Sequence, residues 1–115
     1  MYKFYFVPIF ERQLRDYRKR FPSISASVEK GLALFVPESA AFLGRKLYKL
    51  RLKILEIPRG KSGSFRLIVI FLSSINAVIP LALYFKGDRA IISIKELAVM
   101  AEQAFKEVKQ RYSIK

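Results

Sequence analysis

The chain has no cysteine and no histidine. Without thiols, disulfide frameworks, thiolate zinc sites and cysteine nucleophiles are excluded. Without imidazole, so are Ser/His/Asp triads, histidine metal centres and a histidine general base. Any catalysis has to use Lys, Arg, Tyr or a carboxylate. Acidic residues are scarce too: 9 Asp and Glu stand against 22 Lys and Arg, for a net charge of +13. Charge of one sign at that density repels itself and calls for an anionic partner. Glycine and proline number only five each, which excludes collagen-like and low-complexity chains. Against these absences, 52% of residues are hydrophobic and 14% aromatic, enough to build a core and to exclude disorder over the whole length. A length of 115 residues predicts one domain, residues 1–115. Residues 1–10 are apolar around Lys3 and lack a basic leader and a small-residue cleavage site, so a mature cytoplasmic protein is expected.

Residues 67–85 carry no charge and approach the length of a membrane span. Ser73, Ser74 and Asn76 interrupt that run at its middle, Pro80 opposes a helix, and Ile, Val and Phe favour strands. A buried β-hairpin is predicted in its place, with strands over 65–72 and 77–86 and Pro80 marking an edge or a bulge. Upstream, residues 2–7 suit a strand. Phe10, Leu14, Tyr17 and Phe21 recur at helical spacing over 9–21, and Val28, Leu32 and Phe35 do so over 25–35. Residues 37–44 read as irregular. Over 46–54 the period falls to two, with Tyr48, Leu50, Leu52 and Ile54 on one face and Lys49, Arg51 and Lys53 on the other. A Gly-bearing basic loop is expected at 58–64. Gly87, Asp88 and Arg89 then turn the chain into a last helix, which opens on a Ser93/Glu96 capping box and carries an apolar stripe from Ile94 to Tyr112. The order β-α-α-β-β-β-α predicts an α+β fold, a small, mostly antiparallel sheet with two N-terminal helices and one C-terminal helix. The helices are expected to cover one sheet face and leave the other for function.

The densest charge lies between Arg45 and Arg66: Arg45, Lys46, Lys49, Arg51, Lys53, Arg59, Lys61 and Arg66 face a single acid, Glu56. Cations at alternate strand positions beside a Gly-bearing loop can line a groove that follows a phosphate backbone. Lys and Arg on a strand edge also deter aggregation, and a solvated edge is the plain alternative. The clustering of these residues under so large a net charge favours nucleic-acid contact.

These residues also carry a resemblance. Leu43-Gly44, Leu47-Tyr48-Lys49-Leu50-Arg51, Gly60-Lys61-Ser62-Gly63-Ser64-Phe65-Arg66, Lys86-Gly87-Asp88-Arg89 and Ile92-Ser93-Ile94-Lys95-Glu96-Leu97 resemble, in order and spacing, the RelE/ParE toxin superfamily, in particular its RelE and HigB-like branch. The resemblance covers residues 25–108. It implies a RelE-like fold and the toxin of a type II toxin–antitoxin system, a ribosome-dependent mRNA endonuclease that inhibits translation and needs no metal or cofactor. The implied partners are the ribosome, mRNA and a cognate antitoxin with an acidic or amphipathic segment and a DNA-binding domain; no membrane is involved. The chemistry is open to a chain without histidine. A base takes the proton of a ribose 2′-OH, the oxygen attacks the adjacent phosphorus, and cations stabilise the phosphorane. Mutual repulsion among crowded lysines favours a neutral amine able to act as that base. Carried over residue by residue, Lys49 is the expected base, with Arg51 beside it, and Arg66 holds the scissile phosphate through its planar fork. Lys86 and Arg89 contact the phosphate or protonate the 5′ leaving oxygen, while Lys46, Lys53, Arg59 and Lys61 bind RNA.

The sequence departs from the pattern in three places. Arg45 and Lys46 stand where the branch often has glycines, and Ser64 replaces the second glycine of the turn. A tyrosine near the last helix has only Tyr112 as its counterpart, with Tyr84 as a substitute if its hydroxyl reaches the basic face. Two other functions share the fold: a ParE-like inhibitor of DNA gyrase, and a degenerate homologue that binds only RNA or antitoxin.

Overall fold

A computed structural model describes residues 2–57, 65–88 and 91–112. Among these the elements are β1 (Lys3–Phe4), α1 (Pro8–Arg18), α2 (Ile24–Ala33), β2 (Ala41–Gly44), β3 (Leu47–Leu52), β4 (Phe65–Leu72), β5 (Ala77–Phe85) and α3 (Ile94–Tyr112). The α+β architecture is the expected one, and β4, β5 and α3 lie where periodicity and capping put them. The sheet runs β1-β5-β4-β3-β2, with β1 parallel to β5 and the other neighbours antiparallel. The hairpin replaces a membrane span, and no helix among the described residues is long and apolar enough to cross a membrane.

Local chemistry sets the boundaries. Pro8 occupies the first turn of α1, where its missing N–H costs nothing. The side chain of Val7 cannot cap this helix, so Glu107 of α3 accepts from the Ile9 N–H at 3.2 Å and places a carboxylate at the positive end of α1. α3 begins with the capping box: the Glu96 N–H donates to Ser93 Oγ at 3.1 Å, and the Ser93 N–H donates to Glu96 Oε1 at 3.4 Å. Asn76 closes the β4–β5 turn at φ 50°, a left-handed conformation that Asn tolerates. Beside Pro80 the ladder slips, Ile68 pairing with Ala82 but Val69 with Pro80. The proline thus marks a bulge, as predicted.

The structure corrects the sequence reading in three respects. Residues 41–44, read as irregular, form edge strand β2, so the order is β-α-α-β-β-β-β-α. β1 has two residues, because α1 starts four residues beyond it. The helices also do not share one face. On one side Phe65 packs against Tyr17, Phe21 and Phe85, and Tyr48, Phe35, Phe71 and Tyr2 form a second ring cluster, all beneath α1 and α2. Leu47, Ile68 and Ile70 point to the opposite side and are equally buried; there Leu47 lines a cavity with Ala98, Ala101 and Phe105 of α3.

Side chains of α1 and α3 close the remaining edges. β1 covers only Ala77 and Val78 of β5, and Gln13 takes over further along. Its Oε1 accepts from the Leu83 N–H at 2.8 Å, and its Nε2 donates to the Leu81 and Ile9 carbonyls at 3.4 and 3.2 Å. The Tyr17 hydroxyl accepts from the Phe85 N–H at 3.1 Å. At the end of α3, Arg111 pairs with Glu11 at 2.9 Å, and that carboxylate raises the guanidinium pKa above its ordinary value.

Candidate functional site

On the face that α3 shares, each central strand changes character along its length. β3 reads Leu47, Lys49, Arg51 and β4 reads Ile70, Ile68, Arg66, apolar where α3 lies and cationic beyond it. The antiparallel register sets these changes side by side: Leu47 pairs with Ile70, Lys49 with Ile68 and Arg51 with Arg66. Directly opposed cross-strand residues have Cβ atoms about 5 Å apart, so the Arg51 and Arg66 side chains leave the sheet from adjacent points on one face. Lys49 and Arg66 are half-buried and Arg51 is exposed.

Lys49, Arg51 and Arg66 line one cavity of about 390 Å³, whose wall is completed by Leu50 and by Ser39, Ala40 and Ala41. No carboxylate is among the described lining residues. The wall exists because β2 ends its pairing at Ala41, opposite Lys49, and the small side chains before it leave room beside β3. Sequence reasoning missed that wall together with β2. Arg66 Nη1 donates to the Phe65 carbonyl at 3.3 Å, one of the five donors a guanidinium carries. Three cations around an open, acid-free recess can hold a phosphodiester and stabilise additional negative charge on it.

The other expected site residues are dispersed. Lys53 is exposed just past the end of β3. Lys86 is exposed in the turn after β5, at the end of the sheet where Phe85 pairs with Phe65, the same end as Arg66. Lys46 lies at the opposite end, in the β2–β3 turn. Arg45 and Lys46 there adopt φ values of 51° and 66° after Gly44 at 91°, the left-handed pair of a type I′ hairpin turn, in which glycine or asparagine is usual. The departure from glycines noted in the sequence is therefore a strained turn. Arg59, Lys61 and Arg89, together with Ser64, lie outside the described residues.

Neither tyrosine faces the recess freely. Tyr84 stands opposite Arg66 but is only 2% exposed, sharing a cavity with Ile92, Glu96 and Met100. The Tyr112 hydroxyl accepts from the Phe6 N–H at 3.0 Å and donates to the Phe6 carbonyl at 3.3 Å, and its ring meets Tyr5 edge-on at 4.9 Å. It fastens α3 to the N-terminal segment. Among the described residues no group of carboxylates is placed to hold a metal ion.

No protein family matches the sequence, and no curated protein does. Among solved structures, a mutant of the E. coli toxin RelE in the free state is similar to this chain over 96% of both chains, at 17% sequence identity and a TM-score of 0.49.

Proposed function

We propose that the chain is the toxin of a toxin–antitoxin pair and acts as a ribosome-dependent mRNA endonuclease without metal or cofactor. The observation that carries this reading is the recess lined by Lys49, Arg51 and Arg66, built from the strand and turn residues by which the sequence resembles the RelE branch. In this reading a phosphodiester lies across the Arg51–Arg66 pair. Arg66 binds a non-bridging oxygen through its planar fork, and Arg51 neutralises charge that grows as the phosphorane forms. Lys49, as the free amine, takes the proton of the 2′-OH. That oxygen then bonds to phosphorus, the bond to the 5′ oxygen breaks, and Lys86 delivers a proton to the leaving oxygen, giving a 2′,3′-cyclic phosphate and a 5′-hydroxyl. The ribosome supplies what a short recess cannot, an mRNA held still with its 2′-OH in line with the leaving oxygen. An antitoxin offering acidic side chains neutralises the same face.

Primer extension on an mRNA under translation tests this directly. The parent protein is expected to cut within the translated region, and Lys49→Ala and Arg66→Ala each to lower the rate by about 10² or more while remaining folded. Lys109→Ala, on the exposed side of α3, keeps full activity. Absence of cleavage by the parent protein, with supercoiling by DNA gyrase inhibited instead, would replace this reading with the gyrase inhibitor.

A further inference from the structure

Arg20 lies just beyond α1, outside the recess and outside the residues by which the sequence resembles the toxin family. Its guanidinium sits over two rings, 5.1 Å from the centroid of Phe21 and 5.4 Å from that of Phe85, and its Nη1 meets Asp88 Oδ2 at 3.0 Å. Phe85 and Asp88 are the first and last residues of one β-turn, closed by the Asp88 N–H donating to the Phe85 carbonyl at 2.9 Å. One side chain thus grips both ends of a turn whose second residue is Lys86.

The surroundings fix that turn further. The backbone N–H of Phe85 donates to Tyr17, and its ring packs on Phe65 and Phe21 at 5.2 and 5.3 Å between centroids. Gly87 is required because a Cβ there would come within 2.5 Å of the Phe85 ring. Phe85 points to the α1/α2 side, and Lys86 follows it at the end of the sheet where Phe65 pairs with Phe85, beside the Arg66–Tyr84 pair. An ion pair whose side chains are 54% and 42% exposed adds little stability by itself. Gripping a turn by both ends instead serves geometry.

We propose that Arg20 is a positioning residue: by stacking on Phe85 and pairing with Asp88 it holds the Phe85–Asp88 turn so that the Lys86 ammonium stays aimed at the recess. This rests on the endonuclease reading and on the role given there to Lys86. A competing role for Arg20, direct contact with RNA phosphate, makes the opposite prediction for its partner. Asp88→Asn removes the ion pair that holds the far end of the turn but leaves every cation in place and adds a net positive charge.

The experiment is single-turnover cleavage of ribosome-bound mRNA, measured as the rate at saturating protein and the concentration giving half that rate. Asp88→Asn and Arg20→Ala are each expected to lower the saturating rate about tenfold, with the half-saturating concentration of Asp88→Asn unchanged. In a Lys86→Ala background, where the aimed group is gone, neither should lower the rate further. An Asp88→Asn protein as fast as the parent, or tighter-binding at an unchanged rate, overturns the positioning role while leaving the endonuclease intact. Additive losses in the Lys86→Ala background overturn it as well. A parent protein that cleaves nothing removes the endonuclease reading itself. Thermal melts of each variant identify any loss caused by unfolding, and Asp88→Glu, which restores the carboxylate, should recover most of the rate.

Discussion

Removing Arg51 should make the protein more stable and less active. Arg51 and Arg66 are directly paired across β3 and β4, and like charges in that relation are destabilising. Two charges about 7 Å apart in water repel by about 0.6 kcal/mol. Arg51 is exposed, so the solvent value applies. Arg51→Thr keeps a good strand former at the position and relieves that repulsion, for an expected gain of about 0.5 kcal/mol, or ~2 °C in melting temperature for a chain of this size. The loss of the arginine stem's packing opposes the gain, and salt separates the two contributions. At 1 M salt the screening length falls to about 3 Å, so the repulsive part disappears while the packing part persists. Urea denaturation of parent and variant at 20 mM and 1 M salt should show Arg51→Thr gaining about 0.5 kcal/mol relative to the parent at the lower salt. Cleavage should fall by about 10² over the same substitution. A difference in stability that does not change with salt would show that the two guanidinium groups are not held against each other. The Arg51–Arg66 pair would then not be a repulsive pairing maintained for phosphate binding.

Three further outcomes follow from other parts of the structure. Lys46→Gly relieves a left-handed residue at φ 66°, a strain of about 1 kcal/mol that exceeds glycine's entropic cost; a gain of about 0.5 kcal/mol is expected in urea denaturation, and a loss of 1 kcal/mol would contradict the turn geometry. Gln13→Ala strips the Leu83 N–H and Leu81 carbonyl of their partner and should cost about 2 kcal/mol, with rapid amide exchange at Leu83 as its local signature. Affinity for ribosomes should fall steeply with salt, its log–log slope reflecting several released counterions; a flat dependence, measured by co-sedimentation, would mean that the +13 charge is not what binds.

Legibility in the sequence depended on how local each cause is. β4 and the start of α3 were readable because a run of Ile, Val, Leu and Phe, and a Ser93/Glu96 pair three residues apart, act within a few residues. The alternation around Lys49 and Arg51 was readable for the same reason. β2 was not, because Ala41-Phe42-Leu43-Gly44 has no alternating pattern and becomes a strand only by pairing with β3. Nor were the clasps: Gln13 reaches β5, Glu107 caps α1 and Arg20 grips Asp88 across about a hundred or fewer intervening residues, and exposed polar residues on a helix give no sign of a distant partner. The site fell between these cases. Its cations were evident as residues, but the Arg51–Arg66 pairing depends on a register set by the whole hairpin.

The placement of helices on both faces changes what the basic strand means. Had the helices covered one face, as the sequence suggested, the cations of β3 would have belonged to a broad open sheet, and many arrangements of phosphate on it would have been equivalent. With α3 beside Leu47 and Leu47, Ile68 and Ile70 buried, the apolar part of that face gives way, further along β3 and β4, to Lys49, Arg51 and Arg66. Burial of the apolar half and exposure of the charged half satisfy the hydrophobic effect and the solvation of charge together. The boundary confines the cations to a recess small enough to grip one phosphodiester. A helix that lies beside the apolar half of the face thereby also leaves the charged half to the recess, whose wall β2 and the residues before it complete.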